Sequence, residues 1–157
     1  MSEIARVRTE IAAALKRMGV DLLVGSAACG TDILGLQAAE AAGVKTRIVL
    51  PFEVERFRQN SVTDRPGDWA PEYDRLVANA AKRGDLDIVD TSNAEDPYLA
   101  NNLAVMAKVD AARPKRGVGI FVWNGIPKGP NDATANLQRL AKQAGFELVD
   151  ISPRAEL

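Results

Sequence analysis

The sequence has no histidine and only one cysteine, Cys29. Histidine and cysteine side chains are the usual protein ligands of zinc and haem, so we expect neither group here. A single cysteine also excludes an internal disulfide framework. These absences predict a protein without a bound metal or other resident cofactor.

Aromatic residues and an excess of positive charge are also scarce. Aromatics make up 5% of the chain, and 20 Lys and Arg residues face 21 Asp and Glu residues. Binding of single-stranded nucleic acid uses a basic surface with stacking aromatic rings, so no nucleic-acid partner is expected. The overall charge balance does not exclude a local basic patch.

Long hydrophobic runs are missing as well. No stretch approaches the roughly 18 apolar residues that a membrane span needs. The first 17 residues are charged and amphipathic, unlike the apolar core of a signal peptide. These features predict a cytoplasmic protein with no membrane partner.

The 157 residues, 46% of them hydrophobic, are enough for one domain over residues 1–157 with a substantial core. Helical and extended patterns alternate along the chain. The predicted strands are 20–24, 45–50, 86–89, 117–123 and 146–151, and helices fill the intervals and the first 18 residues. Such alternation predicts an α/β protein: a three-layer α/β/α, Rossmann-like fold with a doubly wound parallel sheet of five strands in the order 3-2-1-4-5. In the helix over 97–112, Leu99, Leu103 and Met106 are expected to point inward.

The stretch that organises this fold is the loop Gly25–Thr31, which joins the first predicted strand to the next helix. Its residues have small side chains, so a ligand could approach the backbone closely. The leading amides of a helix lack intrahelical partners, and with the helix dipole they favour an anion. The loop is therefore predicted to bind a ligand through residues Gly25, Ser26, Ala27, Ala28, Cys29, Gly30 and Thr31. A tight turn without a ligand is the alternative.

A second loop with glycine and proline follows the fourth predicted strand. In the order 3-2-1-4-5, strands one and four are neighbours, and ligands lie outside the carboxyl ends of strands at that point. We expect Trp123, Asn124 and Gly125 to face the first loop, with Trp123 either in the core or forming a wall against a base. Asp132 is a second polar candidate, although it could instead cap the following helix.

Two further side chains in or near the first loop have competing interpretations. Asp32 lies in the first helical turn, where a carboxylate favours the helix dipole; it could instead accept hydrogen bonds from a ribose or base, or act in catalysis. Cys29 is expected to pack as a small buried side chain, with a redox role as the minor alternative. Arg58, like Arg56 and Arg65, is either a phosphate clamp or part of a solvated basic loop.

The residues Gly25-Ser-Ala-Ala-Cys-Gly30-Thr-Asp32, then Leu50-Pro51-Phe52, and later Val122-Trp123-Asn124-Gly125 together resemble the nucleotide-binding superfamily called SLOG. That superfamily includes the DNA-processing protein DprA and the LOG phosphoribohydrolases. Phe57 and Ser61 also match the pattern, and one of Asn101 and Asn102 resembles an asparagine of the relatives; we assign Ser61 and Asn102 to the site. The resemblance implies a nucleotide-like ligand and a homo-oligomer.

Three hypotheses follow for the function. The first is binding of a nucleotide or a nucleotide-derived ligand such as a nucleotide sugar. The second is an N-glycosidic hydrolase or transferase in which Asp32 supports departure of the base. The glutamate of the LOG motif is absent here, because Gly129-Pro-Asn-Asp-Ala-Thr134 occupies that position. The third is a single-stranded DNA or protein-interaction module.

Overall fold

The computed structural model describes all 157 residues. Six helices and five strands alternate as the sequence predicts, and most observed ends lie within two residues of the expected ones. The elements are α1 (Glu3–Arg17), β1 (Leu22–Gly25), α2 (Thr31–Ala41), β2 (Lys45–Leu50), α3 (Val54–Ser61), α4 (Ala70–Arg83), β3 (Leu86–Ile88), α5 (Pro97–Ala111), β4 (Val118–Val122), α6 (Ala133–Gln143) and β5 (Glu147–Ile151).

All the strands pair in parallel, but they form two sheets rather than one. β1, β2 and β3 are hydrogen-bonded in that order, and β4 pairs with β5. The expected single sheet of five strands is therefore wrong. Its order was inferred from the winding of the chain, which says where a crossover leads and not whether two strand edges meet. No backbone hydrogen bond joins β1 to β4.

One hydrophobic core nevertheless underlies both sheets. Val7, Ile11 and Leu15 of α1 belong to the same buried cluster as Ile48 of β2 and Ile151 of β5. Helix α1 packs on α2 and on the β4–β5 sheet. The two sheets are therefore held beneath a common helix layer.

Helices cover both faces of β2. Ile48 and Leu50 lie in the core cluster with α1, α2 and α4, whereas Val49 is fully buried outside that cluster. Side chains alternate between the faces of a strand, so Val49 points to the opposite face, where α5 packs on β1 and β2. Strand β2 is therefore buried on both faces.

Helix α5 presents a different stripe to the interior from the one expected. Leu103 is 61% exposed, while Asn101, Asn102 and Val105 are buried. The helix is apolar nearly all round, so its periodicity did not select a face, and hydrogen bonds of the two asparagines decide which side turns inward. None of the helices is both long and apolar enough to cross a bilayer.

Candidate functional site

Helix α2 begins with backbone amides that have no acceptor within the protein, although Gly30 and Ile33 are themselves buried. Gly30 precedes it with φ +84° and ψ −121°, a conformation that favours glycine, and no side chain caps the helix. No protein group accepts a hydrogen bond from the amides of Gly30, Thr31, Asp32 or Ile33. In other proteins such amides are satisfied by water, capping groups or ligands, and they favour anions.

In the middle of the same loop, two backbone amides already donate hydrogen bonds to other groups of the protein. The amide of Ala28 donates to Oδ2 of Asp32 at 3.1 Å, and the amide of Cys29 donates to the carbonyl of Ser61 at 2.9 Å. Ala27 is fully buried. The amides of Ala28 and Cys29 are therefore already used within the protein and are not free for an incoming anion.

Asp32 combines an internal hydrogen bond with an enclosed carboxyl group. The residue keeps some exposed surface. Its carboxyl group nevertheless lies deep enough that burial raises its pKa above the ordinary value, although the Ala28 amide acts in the opposite direction. A carboxyl group with a raised pKa is protonated more readily than an ordinary aspartate, and in its neutral form it can donate a proton and repels an anion less.

Cys29 is partly buried and packs against the core cluster, as the sequence predicts. Burial raises the pKa of its thiol in spite of the opposing Arg65 guanidinium. The thiol is therefore protonated near neutral pH and is a poor nucleophile. Its contacts are those of a packing residue.

Ser61 connects the loop to helix α5. Its carbonyl accepts the Cys29 amide, and its buried hydroxyl lies 3.0 Å from the hydroxyl of Tyr98. The Tyr98 ring meets Phe52 edge-on, with ring centroids 5.7 Å apart. Because Phe52 follows β2, the carboxyl end of that strand has an aromatic wall beside the loop.

Asn101 is a polar residue at this edge that the sequence interpretation passed over in favour of its neighbour. Its Nδ2 donates to the carbonyl of Val49 at 3.0 Å, while its Oδ1 is buried without a partner. Rotating the amide would set two acceptors against each other, so the orientation is determined. Val49 lies one residue beyond the last β1–β2 pair, Gly25 with Ile48, so Asn101 is held at the carboxyl end of these strands.

Three predicted site residues, Arg58, Asn102 and Asp132, make hydrogen bonds away from the first loop. Arg58 makes a forked ion pair with Asp74 of α4, at 2.9 and 3.1 Å. Asn102 donates to the carbonyl of Ala133 and to Oδ1 of Asn136, which ties α5 to α6.

Asp132 is the N-cap of α6, the alternative that the sequence also allowed. It accepts hydrogen bonds from the amides of Ala135 and Lys128. Burial alone would raise the pKa of Asp132, but the surrounding backbone amides together lower it below the ordinary value.

The Trp123–Gly125 turn follows the second sheet, and no hydrogen bond joins it to the first loop. Trp123 is partly buried, and its indole Nε1 is buried without an acceptor. Asn124 accepts from the amide of Ile126 within its own turn, and Gly125 is exposed with φ +80°. Of the turn, only Trp123 has an unused buried polar group.

Leu157 lies against the beginning of α2. Its Cβ is 3.8 Å from the position that a Cβ on Gly30 would take, and its side chain packs against the core cluster. Leu157 thus covers one side of Gly30.

Two open grooves lie away from the loop. One, of about 600 Å³, contains Arg113, Lys115 and Arg116 near the amino ends of β4 and β5. The other, of about 590 Å³, lies between the starts of α5 and α6. Neither of these two grooves is lined by Gly25–Thr31. The structure contains no cluster of three or more acidic or cysteine side chains able to hold a metal ion.

Neither the family models nor the curated proteins with which the sequence was compared match it.

Proposed function

We propose that this protein binds a nucleotide or a nucleotide-derived ligand, with a phosphate at the start of α2. The observation that carries the proposal is the set of amides of Gly30–Ile33, which lack protein acceptors at the end of a strand–loop–helix unit. An eleven-residue helix adds its dipole to these donors.

The polar groups beside the loop suit the rest of a nucleotide. The buried Oδ1 of Asn101 accepts a hydrogen bond and has none, which matches a ribose hydroxyl or an exocyclic amine of a base. The indole Nε1 of Trp123 offers a donor, and its ring is the second candidate for contact with a base.

Asp32 sets a condition on this proposal. Its carboxylate would repel a phosphate at the neighbouring amides when charged, whereas the neutral form would not. Because burial raises its pKa, protonation upon anion binding costs less than it would for an exposed aspartate. We expect a phosphate to be bound with uptake of a proton by Asp32.

The resemblance to the SLOG superfamily agrees with this ligand class, and we propose membership on the sequence motifs alone. The same resemblance leads us to propose a homo-oligomer. Native mass spectrometry of the purified protein tests that proposal, and a monomer over the micromolar range would contradict it.

A second candidate function is an N-glycosidic hydrolase or transferase acting on nucleotides. The enclosed carboxyl group of Asp32 favours it, since a raised pKa suits a group that donates a proton to a departing base. This candidate requires release of free base from nucleoside monophosphates, and that release should disappear in Asp32→Asn. Absence of released base across a nucleotide panel would remove it.

The test of binding compares AMP with adenosine by equilibrium dialysis in two variants of Ser26. Ser26→Asp adds a negative charge to the loop, and Ser26→Asn is its neutral match in shape. We expect AMP affinity to fall by at least about tenfold in Ser26→Asp relative to Ser26→Asn, with adenosine much less affected. Equal AMP affinity in the two variants would contradict placement of the phosphate at this loop.

A further inference from the structure

Residues Ser152–Leu157, which follow β5, run back across α1 and end at the start of α2. Two hydrogen bonds between the backbone of this segment and side chains of α1 hold it in place. Nη2 of Arg6 donates to the carbonyl of Ser152 at 2.9 Å, and the amide of Arg154 donates to Oε1 of Glu3 at 2.7 Å. Glu3 and Arg6 are themselves paired at 2.6 Å.

Beyond these tethers, the segment ends in an apolar contact. The residues Arg154, Ala155 and Glu156 are exposed, whereas the Leu157 side chain is partly buried against the core cluster beside Gly30. Gly30 carries one of the amides at the start of α2 that have no acceptor. The Leu157 side chain thus lies beside one end of the proposed phosphate site.

We propose that Ser152–Leu157 is a strap that covers the start of α2 and must lift before a ligand binds there. This inference rests on the proposed function for its purpose, but the covering of Gly30 and its release can be tested without any ligand. Asn101 is only 4% exposed, and its Oδ1 is buried without a hydrogen-bond partner. This unsatisfied acceptor at the carboxyl end of β2 is a separate sign that a ligand binds at this end of the sheet.

The construction of the strap suits reversible opening. Its tethers are a pair of hydrogen bonds to exposed or partly exposed groups, and exposed contacts of this kind contribute little to stability. Leu157 is the only residue of the segment that packs against the core cluster. A ligand that binds only the open form has its apparent affinity reduced by the fraction of molecules that are open.

Cys29 provides a reporter for this opening, because it precedes Gly30, packs against the same cluster and is the only thiol. The experiment measures the alkylation rate of Cys29 by iodoacetamide under native conditions. We expect the rate to rise at least about threefold in Leu157→Ala and in Glu3→Ala, which remove the apolar contact and one tether. Glu156→Ala, an exposed change in the same segment, should alkylate at the wild-type rate.

General destabilisation is excluded with Val105→Ala, which alters a buried residue of α5 away from the strap. Even if Val105→Ala lowers the thermal midpoint as much as Leu157→Ala does, its Cys29 should be alkylated at the slower, wild-type rate. Equal alkylation rates in the wild type and in both strap variants would overturn the proposal, and so would equal acceleration by Val105→Ala.

AMP binding separates the strap from the proposed function. If AMP binds the wild type, Leu157→Ala should bind it more tightly by a factor similar to the gain in alkylation rate, and unchanged affinity would overturn the role of the strap in access. If AMP binds no variant while the alkylation rates differ as expected, the covering strap stands and the nucleotide proposal fails.

Discussion

Asp32 is the only residue of the first turn of α2 with an ionisable side chain, and its charge matters for the proposed phosphate site. Its carboxyl group already accepts a hydrogen bond from the amide of Ala28, next to the amides of Gly30–Ile33. A helix start usually gains from an aspartate, but here burial outweighs that benefit and raises the pKa of the side chain. In the proposed site, a negative charge on this residue would oppose the binding of a second anion.

Replacing Asp32 by Asn should strengthen phosphate binding. The amide keeps an oxygen for the Ala28 N–H and removes the negative charge, so affinity for AMP should rise by about fivefold or more at pH 7.5. The gain should shrink as the pH is lowered and the wild-type carboxyl becomes protonated. Equilibrium dialysis at two pH values measures both effects, and weaker AMP binding in Asp32→Asn would contradict the account.

The same substitution predicts a pH-dependent change in stability. The folded protein holds the Asp32 proton more tightly than the unfolded chain does, so stability from this group falls as pH rises above the unfolded pKa of about 3.9. Asp32→Asn should therefore gain stability relative to wild type between pH 4 and pH 7. Thermal unfolding across that range checks the sign, and a relative loss that grows with pH would refute it.

Asn101 illustrates what the sequence could and could not predict at this scale. The resemblance pointed to an asparagine at 101 or 102, and both are buried. Adjacent helical residues differ by about 100° in direction, so the choice depends on where α6 and β2 lie. Asn102 turns to Ala133, and Asn101 turns to Val49. Nothing in the sequence showed that α6 would take up the amide of Asn102.

Asn101→Leu should distinguish binding of the nucleoside part of AMP from binding of its phosphate. The change removes the free Oδ1 and leaves the Val49 carbonyl unpaired, which costs about 1–3 kcal/mol of folding stability. If the folded variant is compared at a temperature well below its midpoint, AMP affinity should fall several-fold while inorganic phosphate affinity stays constant. An equal loss for both ligands would contradict a contact of Asn101 with the nucleoside part.

At the scale of elements, the boundaries were largely predictable because glycines and caps mark them. Gly43 follows α2, Gly84 and Gly145 follow α4 and α6, and all three have positive φ. Strand β2 was recognisable from three consecutive buried aliphatic residues. The inward stripe of α5 was not predictable, because apolar side chains surround the helix and hydrogen bonds with partners distant in sequence orient it.

The start of α5 offers an element-scale test through its N-cap. Asp96 accepts from the amides of Tyr98 and Leu99 at 2.9 and 3.2 Å. Asp96→Ala should lower the free energy of unfolding by about 1 kcal/mol, because the leading amides lose their acceptor. Urea denaturation measures the change, with Glu95→Ala as the exposed neighbouring control. Equal stability of the two variants would show that the cap contributes nothing.

At the scale of the whole molecule, α1 joins the two sheets through the shared core. The winding rule predicted which strands would be near each other, and both observed ladders agree with it, but the edges of β1 and β4 are not hydrogen-bonded. The sequence carried no information on that edge, since the burial pattern of a strand does not depend on the identity of its neighbour. Cohesion therefore depends on helix packing more than the predicted single sheet implied.

Ile11→Ala tests this cohesion. Ile11 is 2% exposed within the cluster, so the truncation should lower the free energy of unfolding by about 2–4 kcal/mol. Ile4→Ala on the same helix, at 38% exposure, should cost much less. Because one core serves both sheets, urea unfolding should stay a single transition when followed by Trp fluorescence and circular dichroism. Two separate transitions in the wild type would contradict a common core.

The most direct measurement of the central claim is a titration of ¹⁵N-labelled protein with AMP, followed through backbone amide resonances. The account predicts saturable shifts concentrated at Gly30, Thr31, Asp32 and Ile33, with smaller shifts from inorganic phosphate at the same amides. Shifts confined to the groove of Arg113, Lys115 and Arg116, or no saturable shift at any nucleotide concentration tested, would contradict a phosphate site at the start of α2.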